Sequence, residues 1–323
     1  MKILLLQTGG TIGSEEKNGV IDASGGVEDT VKKQNDVIIT TERVYNILSE
    51  NLTPAYSEKL IRRISHALQE DYDGIIVTHG SDTLSYTSAL LGLCFGAAGK
   101  PIVITAANYV PSDPRSNAMV NMNTAAELVR VSKCGVYTVY KNDNSDLAQV
   151  WLPTRLIEAD RFFDRFSSRD GHELALYDGN GSFIFHSDSA DGFSLCGKNI
   201  DCSSLRFEKK VLVINANPAA DYNSINIPEG TAALLHESDH SGTINSSAST
   251  LLKKCRERKI PFFICSVKKS AVSLYESTHS LISDGAIPLY DITTEAALAK
   301  LMLAVNLPGT DVQSFMNDNI YFE

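Results

Sequence analysis

Hydrophobic positions along this chain form short continuous runs, and longer segments with helical spacing separate them. Runs such as KILLLQT, GIIVTHG, KPIVIT and GVYTVY alternate with the helical patterns TERVYNILSE, SEKLIRRISHALQE, TLSYTSALLGLCF and DPRSNAMVNMNTAAELVRVS. Runs that are apolar throughout indicate strands buried on both faces, and strands that alternate with helices are typical of a parallel sheet. The pattern predicts an α/β fold with a large, doubly wound sheet in the N-terminal part.

Capping residues predict where some of these helices begin and end. Asp113 is a good N-cap and is followed by Pro114, which suits the first helical position. Gly99 and Pro101 follow the end of the preceding helix. These residues predict that the last helix of the N-terminal part begins with Asp113 as its N-cap.

A polar stretch interrupts the alternation in the second half of the chain. The text HSDSADGFSLCGKNIDCSS is rich in Ser, Gly and Asp, after which KVLVINA, GTAALLH, LLKKCRER, IPFFICSV and DITTEAALAKLMLAV resume the α/β pattern. The length of 323 residues also suits about two domains. We predict an N-terminal α/β catalytic domain (1–185), a linker (186–207) and a smaller C-terminal α/β domain (208–323).

Composition and charge narrow the class of partner. The chain is 43% hydrophobic and 21% charged, and its formal charge of −10 comes with scattered Lys and Arg. A nucleic-acid footprint or a membrane-surface role needs clustered basic residues, so we expect neither partner and favour a small molecule. The opening apolar run, ILLL, is too short for a signal peptide or a membrane span, and we expect a cytoplasmic protein.

The cysteines indicate thiols rather than a disulfide framework. Six cysteines occur without CxxC spacing, and a reducing compartment keeps such residues as thiols. Cys196 and Cys202, in the polar stretch, are the one pair whose placement suits a bridge.

Two cofactor or metal motifs are matched only superficially. In QTGGTIGS the glycines stand at 9, 10 and 13, which fits neither GxGxxG nor a phosphate-binding loop. HESDH (236–240) matches HExxH, but that zinc motif requires a helix, and here an apolar run precedes it and a turn signal follows. We interpret the segment as a strand end and expect no cofactor or metal.

Two strand ends carry groups suited to acyl transfer. TGGT offers the hydroxyl of Thr11 after the first strand, and THGSDT offers Ser81 and Asp82 after GIIV. Open α/β sheets bind ligands beyond the carboxyl ends of their strands, and a nucleophilic hydroxyl beside a second polar cluster suits acyl transfer. Thr11 as a plain turn residue and Asp82 as the N-cap of a helix starting at Thr83 are the structural alternatives.

The chain resembles the bacterial L-asparaginase family over nearly its whole length, and within that family it resembles the cytoplasmic type I group. The matching segments are TGGTI (from Thr8), LSEN (from Leu48), THGSDTLSYTS (from Thr78), DPRSNAMVNMNTA (from Asp113), DHSGT (from Asp239) and TTEAALAKLM (from Thr293). The resemblance implies a two-domain enzyme, a homodimer or homotetramer, that needs no metal or cofactor.

The resemblance also implies roles for individual residues. Thr11 would attack the side-chain amide and form an acyl-enzyme; Ser81 would position water or the oxyanion, and Asp82 would bind the substrate ammonium. Ser49 matches the serine that holds the carboxylate, and Glu50 stands beside the amino group where the family has Gln. Gly10 and Gly80 would let the backbone approach the substrate, and the polar segment 14–26 resembles a lid.

Three positions depart from the family pattern. Val20 occupies the place of a tyrosine that contacts the nucleophile, and Ser81 replaces a threonine. Arg155 falls on the family's catalytic lysine, with Lys141 as the alternative if the alignment is shifted. Arginine stays protonated, so it can orient and neutralise but not shuttle a proton.

These departures leave three functions open. The first is an L-asparaginase that converts asparagine to aspartate and ammonia. The second is an amidohydrolase with a shifted preference such as glutamine, and the third is a non-catalytic asparagine sensor. One methylene changes pocket energetics by only about 1–3 kcal/mol, so the sequence does not decide between asparagine and glutamine.

Overall fold

The computed structural model describes residues 1–17, 20–22, 36–186, 192–268 and 273–323, with only the backbone of 15–17 and 20–22. These residues form two compact units, Met1–Ser204 with Ile320–Phe322 and Leu205–Asn319 with Glu323. The division falls within the segment predicted to be a linker. Residues 320–322 belong to the first unit and not to the C-terminal domain in which the sequence pattern predicts them.

The first unit is built on an eight-stranded sheet. The described strands of the whole first unit are β1 (Lys2–Gly9), β2 (Glu15–Lys17), β3 (Val20–Asp22), β4 (Ile38–Ile47), β5 (Gly74–Thr78), β6 (Ile102–Thr105), β7 (Val136–Tyr140), β8 (Ala148–Trp151), β9 (Leu156–Ile157), β10 (Ser167–Ser168), β11 (Ala175–Tyr177) and β12 (Phe183–Phe185). The large sheet has the order β12-β11-β8-β7-β6-β5-β1-β4. Strands β4, β1, β5, β6 and β7 are parallel, whereas β8, β11 and β12 extend the sheet with antiparallel pairs.

Among the described residues, three helices cover this sheet, α1 (Pro54–Ala67), α2 (Leu84–Phe95) and α3 (Ala118–Val131). Strands β1, β5 and β6 are completely buried apart from Lys2, as their continuous apolar runs predict. Ile3, Leu5 and Ile76 pack with Met122 of α3 in one apolar core. The buried strands therefore fix the positions of the loops that follow them.

The helix predicted for TERVYNILSE is wrong, because residues 41–47 belong to strand β4 and a 3-10 turn begins at Ser49. β4 pairs in parallel with β1 from Ile38 opposite Lys2 to Ile47 opposite Gly9. The pairing satisfies the backbone of an edge strand, and the β-branched residues of IITTERV favour that conformation. The sequence pattern does not indicate this strand because its partner is about 35 residues away in sequence, outside any local window.

The predicted start of the third helix is also wrong. The helix α3 begins at Ala118 with Asn117 as its N-cap. The carboxylate of Asp113 instead accepts hydrogen bonds from the backbone N–H and the guanidinium of Arg115, which closes a turn. The aspartate is used locally before it can cap a helix.

The second unit has a four-stranded parallel sheet and four described helices. The strands are β13 (Lys210–Ile214), β14 (Thr231–Glu237), β15 (Phe262–Val267) and β16 (Ile287–Tyr290), and the helices are α4 (Ser249–Glu257), α5 (Glu276–Ser283), α6 (Thr294–Asn306) and α7 (Val312–Asn317). The sheet order is β13-β14-β15-β16. His236 and Glu237 of the HESDH segment are the last residues of β14, so this segment ends a strand as predicted.

All six cysteines are free thiols, including Cys196 and Cys202. Within the described ranges no helix is long and apolar enough to cross a bilayer.

Candidate active site

The candidate site lies where the connections of the first sheet change direction. From β1 the chain passes to β4 on one side, and the next strand of the large sheet, β5, pairs with β1 on the other side. The carboxyl ends of all three parallel strands therefore meet at one edge, the usual place for a ligand in an open α/β sheet. Each strand is followed by a 3-10 turn, at Thr11–Gly13, Ser49–Asn51 and Ser81–Thr83.

Two glycines let the three turns touch. Gly10 has a positive φ of 79°, and a Cβ at that position would lie 2.5 Å from the backbone nitrogen of Gly80. A Cβ on Gly80 would lie 2.5 Å from the Oγ of Ser49. Any larger residue at either position would push the turns apart. Both glycines thus allow close packing of the backbone of the three turns. Their approach to a substrate stays a prediction.

Thr11 stands at the first position of its turn with its hydroxyl uncommitted. The Gly10 carbonyl accepts hydrogen bonds from the Gly13 N–H (3.2 Å) and the Ser14 hydroxyl (2.8 Å), which hold the turn. The Thr11 hydroxyl has no hydrogen-bond partner within the described ranges, and the residue is half-buried. The backbone is therefore fixed while the hydroxyl stays available to a ligand.

Asp82 is joined to Ser49 rather than to a helix end. The buried Ser49 hydroxyl donates to Oδ2 of Asp82 at 3.1 Å, and the Thr83 hydroxyl donates to the Ser49 carbonyl at 3.1 Å. Helix α2 starts at Leu84, and its N-cap is Thr83 rather than Asp82. The alternative that Asp82 is a capping residue is therefore wrong, and its carboxylate faces the turn after β4.

The remaining predicted binding residues lie at the same edge. Ser81 is half-buried and begins the turn after β5, and Glu50 is exposed beside Ser49. The structure thus collects Thr11, Ser49, Glu50, Ser81, Asp82 and the two glycines on three touching turns.

Arg155 is engaged elsewhere. Its Nε donates to the carbonyl of Phe322 at 2.6 Å, and its Nη1 pairs with Asp170 at 2.7 Å. In the part of the chain that the structure describes, it has no hydrogen bond to the residues of the three turns. The alternative, Lys141, directly follows β7, and its backbone is held by the side chains of Asn117 and Asn121.

Sequence reasoning missed one buried residue of this site, His79. Its ring is 2% exposed, with Nδ1 at 2.9 Å from the Gly80 carbonyl and Nε2 at 3.0 Å from the Thr87 hydroxyl. Burial lowers the pKa of this imidazole, so the neutral ring is favoured. With Nδ1 protonated, the ring donates to Gly80 and accepts from Thr87, which fixes the peptide that precedes Ser81. The signal was a histidine at the end of the apolar run GIIVT.

Two predictions concern residues that lie outside this description. The lid predicted for 14–26 lies largely on residues whose side chains or positions the structure does not describe. The side chain of Val20, predicted to replace the family's tyrosine, is also outside the described part of the chain.

Residues 2–195 match the family description "Asparaginase, N-terminal". The chain belongs to the asparaginase family. It is 26% identical over 318 residues to a glutamyl-tRNA(Gln) amidotransferase component from Aeropyrum pernix, covering 93% of this chain and 73% of that protein. It is 27% identical over 318 residues to an L-asparaginase from Thermococcus kodakarensis, covering 94% of this chain and 93% of that protein. The solved thermostable L-asparaginase of that organism superposes with a TM-score of 0.79 at 25% identity, over 100% of this chain and 99% of that one.

Membership of the asparaginase family gives the three turns a chemical meaning. An uncommitted hydroxyl, a fixed hydroxyl–carboxylate pair and closely packed backbone are suited to hold an amino acid and attack its amide. The fold and the family support an asparaginase-type amidohydrolase. Among the described residues no group of three His, Cys, Asp or Glu side chains is placed to hold a metal ion.

Proposed function

We propose that this protein is an L-asparaginase that hydrolyses L-asparagine to L-aspartate and ammonia through an acyl-enzyme on Thr11. The single observation that supports the proposal is the close packing of three turns, of which one carries the Thr11 hydroxyl, without a hydrogen bond among the described residues, and the other two are joined by the Ser49–Asp82 hydrogen bond. Likeness to an L-asparaginase over nearly its whole length supports the choice of substrate.

Each residue of the cluster has one task in this proposal. Asp82 is the counter-ion of the substrate ammonium, and the Ser49 hydroxyl turns from Asp82 to donate to the substrate carboxylate. Thr11 Oγ attacks the amide carbon; the C–N bond breaks and ammonia leaves with the hydroxyl proton. Ser81 then positions the water that cleaves the ester. The cytoplasmic location and the homodimer or homotetramer stay predictions.

The experiment that tests this proposal measures the ammonia that the purified chain releases from L-asparagine, L-glutamine and D-asparagine. We expect turnover of L-asparagine that disappears in Thr11→Ala and persists in part in Thr11→Ser, which keeps a hydroxyl nucleophile. Equal turnover by Thr11→Ala and the unchanged chain would overturn the proposal.

A non-catalytic asparagine sensor is the second candidate. The observation that favours it is the engagement of Arg155 with Asp170 and Phe322, away from the three turns. In that case L-asparagine raises the midpoint of thermal unfolding, as any ligand of the folded state does, without release of ammonia.

The likeness to a relative named as part of an amidotransferase supports a further possibility, that the amidohydrolase works for a partner protein. Hydrolysis of free asparagine by the chain alone favours the first proposal, whereas activity that requires an added partner protein favours this one.

A further inference from the structure

A cavity of about 430 Å³ adjoins the proposed catalytic cluster. Ser81 and Asp82 form part of its lining, but Thr11 and Ser49 do not. Much of the remaining wall comes from segment 158–166, which connects β9 to β10. Cavities of this size hold ligands much larger than a free amino acid. The cavity thus continues the proposed active site toward space that asparagine itself does not need.

The walls of this cavity are held in place by specific contacts. The Asn142 side chain donates to the Phe166 carbonyl (2.8 Å) and accepts from the Phe166 N–H (2.9 Å). The Phe166 ring packs edge-to-face on Tyr140, with centroids 4.8 Å apart. The Arg165 guanidinium lies 4.3 Å from the centroid of the Phe163 ring. These contacts hold the C-terminal end of the segment and two of its aromatic rings, those of Phe163 and Phe166.

The lining combines negative charge with aromatic rings. Its charged members are one guanidinium, Arg161, and the carboxylates of Asp82, Glu158, Asp160 and Asp164. Phe162 and Phe163 also line the cavity and are 88% and 51% exposed. Carboxylates attract a cation, and aromatic faces add a cation–π contribution. The chemistry of the cavity therefore favours an organic cation.

The position of the cavity tells which end of the substrate reaches it. In the proposed function the carboxylate lies at Ser49, which does not line the cavity, so a substituent on the carboxylate would not enter. An acyl group on the α-nitrogen would remove the positive charge that faces Asp82. A substituent on the side-chain amide nitrogen keeps both contacts, and Ser81, which acts at the reacting bond in the proposed function, lines the cavity.

We propose that the cavity binds the amine portion of a secondary amide, an N4-substituted L-asparagine whose substituent ends in a second positive charge. This inference rests on the proposed function. The Thr11 Oγ–C bond forms and the C–N bond breaks, and the hydroxyl proton leaves on the amine nitrogen. Water then cleaves the ester, which yields aspartate and restores Thr11.

The experiment compares three amides with the purified full chain. They are L-asparagine, N4-(4-aminobutyl)-L-asparagine and N4-(3-carboxypropyl)-L-asparagine, whose substituents are similar in length and opposite in charge. Release of aspartate gives kcat/KM for each. We expect the cationic amide to be hydrolysed with a higher kcat/KM than the anionic one, by about tenfold if two carboxylates contribute as partly exposed ion pairs do.

Variants of the lining test the origin of this preference. Glu158→Gln and Asp164→Asn should each reduce the preference for the cationic amide roughly two- to fivefold and leave asparagine hydrolysis unchanged. Asp146→Asn, an exposed aspartate that does not line the cavity, is the matched control and should change neither value.

Failure of this inference and failure of the proposed function give different results. Hydrolysis of asparagine with equal or no hydrolysis of the two substituted amides overturns the inference and leaves the function standing. If no amide is hydrolysed, the proposed function fails, and the shift in the midpoint of thermal unfolding then tests the cavity assignment. A larger shift with the cationic than with the anionic amide then supports the cavity assignment, and equal shifts overturn it.

Discussion

Asp82 and Glu50 are acidic residues at the same sheet edge with different surroundings. Both residues are exposed, but the Asp82 carboxylate is held by the Ser49 hydroxyl, whereas Glu50 has no hydrogen bond in the described part of the chain. We expect Asp82→Asn to lower kcat/KM for asparagine by about 10- to 150-fold, the scale of a hydrogen bond to a charged group. Glu50→Gln should lower it less than about fivefold. Steady-state kinetics of the two variants check this, and equal losses would contradict the assignment of the ammonium to Asp82.

The resemblance places Arg155 at the position of the family's catalytic lysine, but its contacts are those of an anchor. A lysine at this position cannot reproduce both the bond to the Phe322 carbonyl and the pair with Asp170. We expect Arg155→Lys to lower the free energy of unfolding by about 1–2 kcal/mol and to leave kcat unchanged. Denaturant unfolding and ammonia release measure the two quantities.

Asp170→Asn is the matched variant for that prediction. It removes the partner of Arg155, so it should also destabilise the chain without changing kcat. A change of about a hundredfold or more in the kcat of Arg155→Lys, the scale of general acid–base catalysis, would instead support the catalytic role expected from the resemblance.

At the scale of elements, local pattern predicted the buried strands but not the edge strand. The runs that became β1, β5 and β6 are apolar because both faces are covered, and a sequence window detects that directly. Strand β4 has mostly half-buried or exposed residues and owes its conformation to pairing with β1. The turn containing Ser49 was therefore assigned through the LSEN resemblance rather than through any prediction of the strand that positions it.

The end of helix α2 offers a sharp test of packing. A Cβ at Gly96 would lie 2.2 Å from the ring of the fully buried Tyr321, although the backbone there is helical and accepts alanine. We expect Gly96→Ala to lower the free energy of unfolding by about 1–3 kcal/mol, as overpacking of a filled core does. Gly99→Ala, where nothing lies within 4 Å of the added Cβ, should change it little. Equal denaturant midpoints for the two variants would contradict the close packing.

At the scale of the whole molecule, the last residues show where sequence reasoning ends. Tyr321 belongs to the first unit, and its hydroxyl bonds with both the N–H (2.8 Å) and the C=O (2.9 Å) of Val136. These partners are 185 residues apart, so no local pattern indicates the contact. The site was easier to predict because its residues follow strands in short motifs, whereas the Arg155 contacts depend on this distant segment.

Each compact unit contains, among its described residues, one deeply buried histidine, and together they predict how stability depends on pH. Burial lowers the pKa of His79 in the first unit and of His236 in the second from the ordinary value of 6.5. The unfolded chain therefore binds these protons at higher pH than the folded one. The stability from each neutral ring is complete above pH 6.5 and is lost as the pH falls toward the folded pKa, by up to about 1.4 kcal/mol per pH unit and histidine. Urea unfolding between about pH 7 and pH 5 measures this slope of the free energy of unfolding against pH. His79→Gln or His236→Gln should each reduce the slope by the equivalent of about one bound proton. His66→Gln, at an exposed position on α1, is the control and should leave the slope unchanged. A free energy of unfolding that stays constant across this interval would show that neither ring is kept neutral by the fold.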